Sequence, residues 1–395
     1  MYRVDDPTRS VDELGAGKDG YTESTPGGTP TAIRADHLNA LQEEIANVVE
    51  GAGTALVKAD STQLLAAVRT LIGIATERTG ITDWVDLTAG VADDINDVEA
   101  SSTTVNVLVA VGALGAIRRN DIGESWSTPA ADAAYADEFR AVCWYPAGGL
   151  FIACGEGDEI QTSPTGNTWT RRETGGDDFN ACAAGLAFAA CVGDNGTIKT
   201  TANGTSFTLR TSAHAGVSMK DVCYSPTLDL MVAVGDAASV QRSNASGSTW
   251  TAAADVTIMT GSPDLNCVVW SEEQQLFFAS TTTTNRVFKS VDGSVWQAAT
   301  GIVTLSGGDI LGIAALPQQL AVFGTYMVSL YPYTELDGTP APPLEQWLFD
   351  AGLENYNDPL TRFKRIPTAA DSPYAGRILA CGPSGPRICA SRYFG

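Results

Sequence analysis

Beyond residue 82 the chain alternates short apolar runs with polar, glycine-rich punctuation. One run closes on glycine repeatedly: LVAVG to Gly112, FIACG to Gly155, AACVG to Gly193, MVAVG to Gly235, LAVFG to Gly324 and ILACG to Gly382. One further copy, LFFAS, carries Ser280 instead. Ahead of each run lies a strand-like segment opening on a large apolar residue: Ile95, Phe139, Phe179, Met219, Leu265, Ile310 or Phe363. After it comes a turn of the form S-x-x-G-x-x-W, ending on Trp126, Trp169, Phe207, Trp250 or Trp296, with Trp347 as the sixth aromatic. Apolar runs of this length between turn residues read as buried strands. A period of roughly 40–50 residues reads as a repeat architecture. A four-stranded unit of that size cannot bury both faces alone, so units must stack, and radial stacking gives a β-propeller. The predicted fold is therefore mainly β: a seven-bladed β-propeller over residues 82–395, with one aromatic per unit packed between neighbouring sheets.

The last copy of the repeat has no aromatic after Gly382. Trp84, in TGITDWVDLTAG, precedes the first complete unit and stands 28 residues before Gly112, an interval typical of the other units. The expectation is that Asp83–Leu87 supplies the outer strand of the blade built from Arg377–Arg392. N- and C-terminal strands then close the last blade.

Upstream the pattern changes. Residues 1–34 are polar and rich in Gly, Pro and Thr, and read as an extended attachment arm. In residues 35–80, Leu38, Leu41, Ile45, Val48 and Val49 share one helical face, with Asp36 as N-cap and Gly51 and Gly53 as stops. A second short amphipathic helix follows on Leu64, Leu65, Val68, Leu71 and Ile72. Both must bury their stripes against partner subunits or the next domain.

Composition narrows the function classes. Net charge is −22, with 24 Lys+Arg against 46 Asp+Glu, so neither nucleic acid nor an anionic membrane surface is an expected partner. No apolar stretch approaches a membrane span or a secretory leader, and synthesis in a cytoplasm is expected. Eight cysteines without a C-x-x-C spacing argue for buried thiols rather than zinc; Cys143, Cys182, Cys223 and Cys267 read as one repeat position. Two histidines, His37 and His214, leave little material for a catalytic triad or a His-based metal site. The acidic pairs Asp93–Asp94 and Asp177–Asp178 read as solvated loops. Expected metals and cofactors are none.

The third part of the unit resembles the Asp-box repeat S-x-D-x-G-x-x-W, best in SVDGSVW, Ser290 to Trp296. With VGDNGTI, Gly193 to Ile198, the units resemble those of photosystem II assembly-factor and sialidase-type propellers. In such families the box is a fold-stabilising turn without a catalytic role. Arg365-Ile366-Pro367 is similar to the R-I-P motif of sialidases, whose arginine holds a substrate carboxylate. Here, however, Arg365 aligns with Ala141 and Asp221 of other units, and the further arginines, the Tyr–Glu pair and the acid Asp are not found. The protein is expected not to be an enzyme.

The segment Ser24–Leu56 resembles a part of tailed-bacteriophage tail fibre proteins. The match lies at Ala35, Leu38, Asn39, Gln42, Glu44, Ile45, Glu50 and Gly53. In such proteins this end attaches to the tail or baseplate, often as a trimer, and the distal domain meets the host. The resemblance implies a virion tail protein that attaches and oligomerises, as a homotrimer, through Leu38, Leu41, Gln42, Ile45, Val48 and Val49. Its propeller would meet a host-surface glycan or protein receptor. An insertion after Gly324 offers Tyr331, Tyr333 and Tyr356 as candidate receptor contacts. The rival expectations are a sialidase-like glycan-cleaving enzyme and a cellular propeller acting as an assembly scaffold.

Overall fold

The computed structural model describes residues 84–86, 94–101, 107–121, 126–129, 135–282, 284–302, 309–316, 319–324, 327–333, 345–348, 362–365, 378–382 and 387–391. The chain divides into Met1–Thr79 and Gly80–Gly395, and every described residue belongs to the second unit. The arm and helices expected over residues 1–80 lie outside the described residues.

The described residues are mainly β, without an α-helix, and their strands form small antiparallel sheets in chain order. The second sheet is typical: Phe139–Tyr145, Leu150–Gly155, Ile160–Ser163 and Thr170–Glu173, each strand paired with the next. The same order recurs in the sheets that begin at Phe179–Ala184, Met219–Ser225, Leu265–Ser271 and Ile310–Leu316. The first sheet, from Ile95–Ala100, has three strands, and its would-be fourth is reduced to a bridge between Arg119 and Ser127, next to the half-buried Trp126. Sheets packed face to face in this way make a β-propeller.

The sheet that starts at Arg362–Arg365 continues through Ile378–Gly382 and Arg387–Ser391 and ends on Trp84–Asp86. Trp84 pairs with Ser391, as Trp250 pairs with Ser243 in the fourth sheet. The strand from the front of the domain thus takes the register place of an outer strand. Arg365, in contrast, is displaced from its expected place. It pairs with Ile378, four residues before Gly382, as Trp144 pairs with Phe151, four before Gly155. It is therefore equivalent to Trp144 and not to Ala141, whose place is taken by Arg362, facing Cys381.

That bulge explains the glycine. In the second sheet Phe139 faces Gly155 and Ala141 faces Cys154, so Arg140 is an extra, unpaired residue. The pinch brings the preceding carbonyl onto the glycine. A Cβ on Gly155 would stand 2.0 Å from the Glu138 carbonyl oxygen, and one on Gly112 1.8 Å from that of Asp94. Gly155 is extended, at φ −172, so the requirement is space and not backbone conformation. In the fifth sheet Leu265 faces Thr281, so Thr281, not Ser280, stands in the glycine's place. There the Thr281 N–H reaches the carbonyl of Arg286, five residues on, whereas Gly155 reaches Glu159, four on. The longer loop relieves the pinch.

The outer turns are built alike. Ser163, Thr201 and Ser290 hydroxyls accept the N–H of Gly166, Gly204 and Gly293, at 2.8, 2.8 and 2.9 Å. These glycines have φ +75, +69 and +70, where only glycine is comfortable. Asp292 Oδ1 then accepts the N–H of Ser294 at 2.8 Å, and Asn203 Oδ1 does the same for Thr205 and Ser206, at 2.9 Å each. An asparagine thus replaces the aspartate without loss of the turn. The aromatic that follows packs into the core shared with the preceding sheet. Trp169 shares a core cluster with Val107, Val109 and Val111, and Trp250 one with Phe188 and Val192. Trp296 likewise shares a cluster with Val232 and Val234.

The cysteines need one correction. Cys143 and Cys223 are equivalent, facing Ile152 and Val232 three residues before their glycines. Cys182 faces Cys191 and Cys267 faces Ser280, so the four do not occupy one position. Cys143, Cys154, Cys182, Cys191, Cys223 and Cys267 are free thiols.

Candidate functional site

In the first six sheets the bulge at the start of the innermost strand aims one side chain toward the propeller axis. In chain order these are Asn96, Arg140, Asn180, Lys220, Asn266 and Leu311. All six line a cavity of about 1330 Å³ enclosed by the innermost strands. At this bulge end most polar groups tie one sheet to the next. Asn96 Nδ2 donates to Glu138 Oε1 at 2.7 Å and to the Phe139 carbonyl at 2.8 Å. Asn180 Nδ2 donates to the Met219 carbonyl at 3.0 Å, and Asn266 Nδ2 to the Ile310 carbonyl at 3.0 Å. Arg140 bridges Asn180 Oδ1 at 2.9 Å, Glu156 at 2.7 Å and Asp178 at 3.1 Å. Burial alone would lower its pKa, but these carboxylates outweigh it and raise the value, so the guanidinium stays charged. One residue beyond the bulge, Asp97 Oδ2 accepts the Val142 N–H and Asp221 Oδ2 the Val268 N–H, both at 2.8 Å across a sheet boundary.

The opposite mouth of the cavity has another character. Trp144, Tyr224 and Trp270 all stand five residues after their strand's opening residue, and the same place holds Ala184 and Ala315 in neighbouring sheets. Trp144 packs edge-on against Phe151, with centroids 4.7 Å apart, and Trp270 tilts against Phe277 at 4.6 Å. Glu272 follows in the turn. It accepts from Trp270 Nε1 at 2.6 Å and from the Thr227 hydroxyl at 2.7 Å, and these hydrogen bonds hold its pKa below the usual carboxylate range. Trp144 Nε1 is buried and without a hydrogen-bond partner. Among the described residues no group of three or more His, Cys, Asp or Glu is placed to hold a metal ion.

Several predicted site residues sit elsewhere than their roles require. Tyr331 is 2 % exposed and belongs to the core around Phe278, Ile313 and Leu320; burial pushes its phenol up to about 12. Its side chain faces the core and not solvent, where a receptor contact would have to stand. Tyr333 is half-buried, stacks on Phe278 at 5.7 Å, and donates to the Leu316 carbonyl at 3.0 Å while accepting from Ser271. Both tyrosines fasten the fifth sheet to the sixth, because the insertion begins only beyond the third strand, Met327–Pro332. Tyr356 lies outside the described residues, as do Leu38, Leu41, Gln42, Ile45, Val48 and Val49. Trp347 lies in Glu345–Leu348, the outer strand of the sixth sheet. Phe207 is half-buried against the core of the second and third sheets. Asp177 and Asp178 are bound into the fold, to Asn195 at 2.8 Å and to the Gly157 N–H at 2.9 Å. Sequence reasoning did not single out the bulge residues. Their signal was present: the residue after each opening apolar one is polar in Asn96, Arg140, Asn180, Lys220 and Asn266.

No protein-family model matches the chain. A stretch of 74 residues is 45% identical to a curated protein of Escherichia coli (strain K12), "Uncharacterized protein StfP". The stretch is 18% of this chain and 35% of that protein, so the chain spans about a third of that relative's length. Among solved structures, "YCF48 bound to D1 peptide" superposes with a TM-score of 0.57 over 78% of this chain and 96% of that one. At 14% identity the likeness is one of fold, the β-propeller.

Proposed function

We propose that this protein is a structural, non-catalytic component of a phage tail, a tail fibre or receptor-binding protein made in the host cytoplasm. Residues 1–80 attach to the tail or baseplate and oligomerise, with a homotrimer favoured. Residues 82–395 form a seven-bladed propeller, its outer turns degenerate Asp-boxes, that recognises the host surface. The observation that carries the tail assignment is the ordered match at Ala35, Leu38, Asn39, Gln42, Glu44, Ile45, Glu50 and Gly53. The blade number is supported by the neighbour relations of the innermost strands. Each touches the next in chain order from Ile95–Ala100 to Arg362–Arg365, and the last touches the first. Peptide recognition by a propeller has a parallel in the YCF48 structure, which holds a D1 peptide.

Immunogold imaging of purified virions, with an antibody to residues 82–395, tests the reading. The expected result is label at the distal end of the tail. Unlabelled tails would overturn it.

A further inference from the structure

We infer that the mouth of the axial cavity framed by Trp144, Tyr224, Trp270, Glu272 and Glu273 takes a lysine- or arginine-bearing loop of a protein partner. It deepens the receptor-recognition reading and rests on it only for where the partner is found. Size comes first. At about 1330 Å³ the cavity exceeds the roughly 300–1,000 Å³ of a typical small-molecule site and has room for a chain segment.

Charge comes second. Among the described residues lining the cavity eight are acidic and two basic, and both cations, Arg140 and Lys220, belong to the bulge end. Arg140 is held there by Glu138, Glu156 and Asp178, and Lys220 by Asp236 at 3.3 Å. At the fifth sheet's corner of the mouth Glu272 and Glu273 stand side by side, with no Lys or Arg among the described lining residues of that corner, and draw a cation in. The basic strand Arg362–Arg365 is flanked by the sixth and first sheets, not by the fourth and fifth, which carry Tyr224 and Trp270.

Chemistry comes third. Tyr224 and Trp270 are half-buried, which leaves ring surface for a cation to approach. Glu272 is already oriented by Trp270 and Thr227, so a bound cation meets a fixed carboxylate. Trp144, 7 % exposed and packed edge-on against Phe151, forms part of the cavity wall. A bare amine satisfies the carboxylates and rings alone. A cavity of this volume also admits the chain segment that carries a cationic side chain.

The test pans a random 12-residue peptide library on the full chain. Enriched peptides are expected to carry Lys or Arg. A synthetic enriched peptide should quench tryptophan fluorescence to saturation. The double substitution Glu272→Gln, Glu273→Gln should weaken it about five- to tenfold with the melting temperature unchanged. Trp270→Ala should weaken it as well, but its ring packs on Phe277, so the glutamine pair is decisive. No enrichment, enrichment of peptides without cations, equal binding by the double variant, or equal affinity for spermine would each overturn the proposal. Labelled tails alongside failed panning would refute this site and leave the tail assignment standing.

Discussion

Trp169 and Trp250 hold equivalent places in the second and fourth units and are each 5 % exposed, yet their indole nitrogens differ. Trp169 Nε1 donates to the Gly166 carbonyl at 3.0 Å, and Trp296 Nε1 to Gly293 at 3.1 Å. In the fourth sheet the turn runs from Ser243 to Gly247, one residue longer than Ser163 to Gly166, and Trp250 Nε1 is buried without a partner. Replacing either tryptophan by phenylalanine removes the same ring volume, so the packing losses cancel to first order. Trp169→Phe additionally loses a hydrogen bond worth about 0.5–1.5 kcal/mol. Trp250→Phe instead removes a buried, unsatisfied donor, whose burial costs about 1–3 kcal/mol. The first substitution should therefore destabilise more than the second by about 1.5–4.5 kcal/mol. For a domain of this size that is a gap of about 2–7 °C in melting temperature. Scanning calorimetry of wild type and both variants at one scan rate, with urea midpoints as a check, reads the difference. Trp296→Phe should fall with Trp169→Phe. Equal losses, or a larger loss at Trp250, would refute the assignment of the turn as the indole's partner.

Gly155→Ala should cost about 3 kcal/mol or more, since its Cβ would meet the Glu138 carbonyl at 2.0 Å, both being backbone-anchored. Gly149→Ala, with open space but φ +61, should cost only about 1 kcal/mol, and urea midpoints separate the two. Asp97→Asn retains one acceptor oxygen for the Val98 and Val142 N–H groups, at 2.9 and 2.8 Å. It should cost about 1–3 kcal/mol and speed amide exchange at Val142. The last prediction concerns acid. Burial would raise the Asp292 pKa, but the N–H groups of Ser294 and Val295, the Ser290 hydroxyl and Arg242 outweigh it and lower the value. Burial of Asp194 is likewise outweighed by Ser218, Asn180, Lys220 and Arg140. A lowered folded-state pKa contributes stability that is present above the unfolded value of about 3.9 and is lost as pH falls through the folded one. Melting temperature should drop over that window, and the drop should be shallower in the Asp194→Asn, Asp292→Asn variant; parallel curves would count against the coupling.

The repeat was legible in the chain because each of its parts answers a local demand. Apolar runs mark strands buried on both faces. Gly166, Gly204 and Gly293 mark left-handed turns, and Trp169, Trp250 and Trp296 mark the seams between sheets. Even the pairing of Trp84 with Ser391 follows from a missing aromatic at one end and a surplus one at the other. What the pattern could not show depends on register. A single bulged residue decides that Asn96, Arg140 and Asn180 face the axis and that Thr281 replaces a glycine, while the pairing with Ile378 decides that Arg365 corresponds to Trp144. The same limit misplaced Tyr331: a tyrosine beside an insertion looks available, and only its pairing with Leu320 shows it to be core. Composition and period determine that sheets form and must stack. Which side chains then meet across the seams or face the cavity is set by one-residue shifts, and those are settled only when the neighbouring sheet is in place.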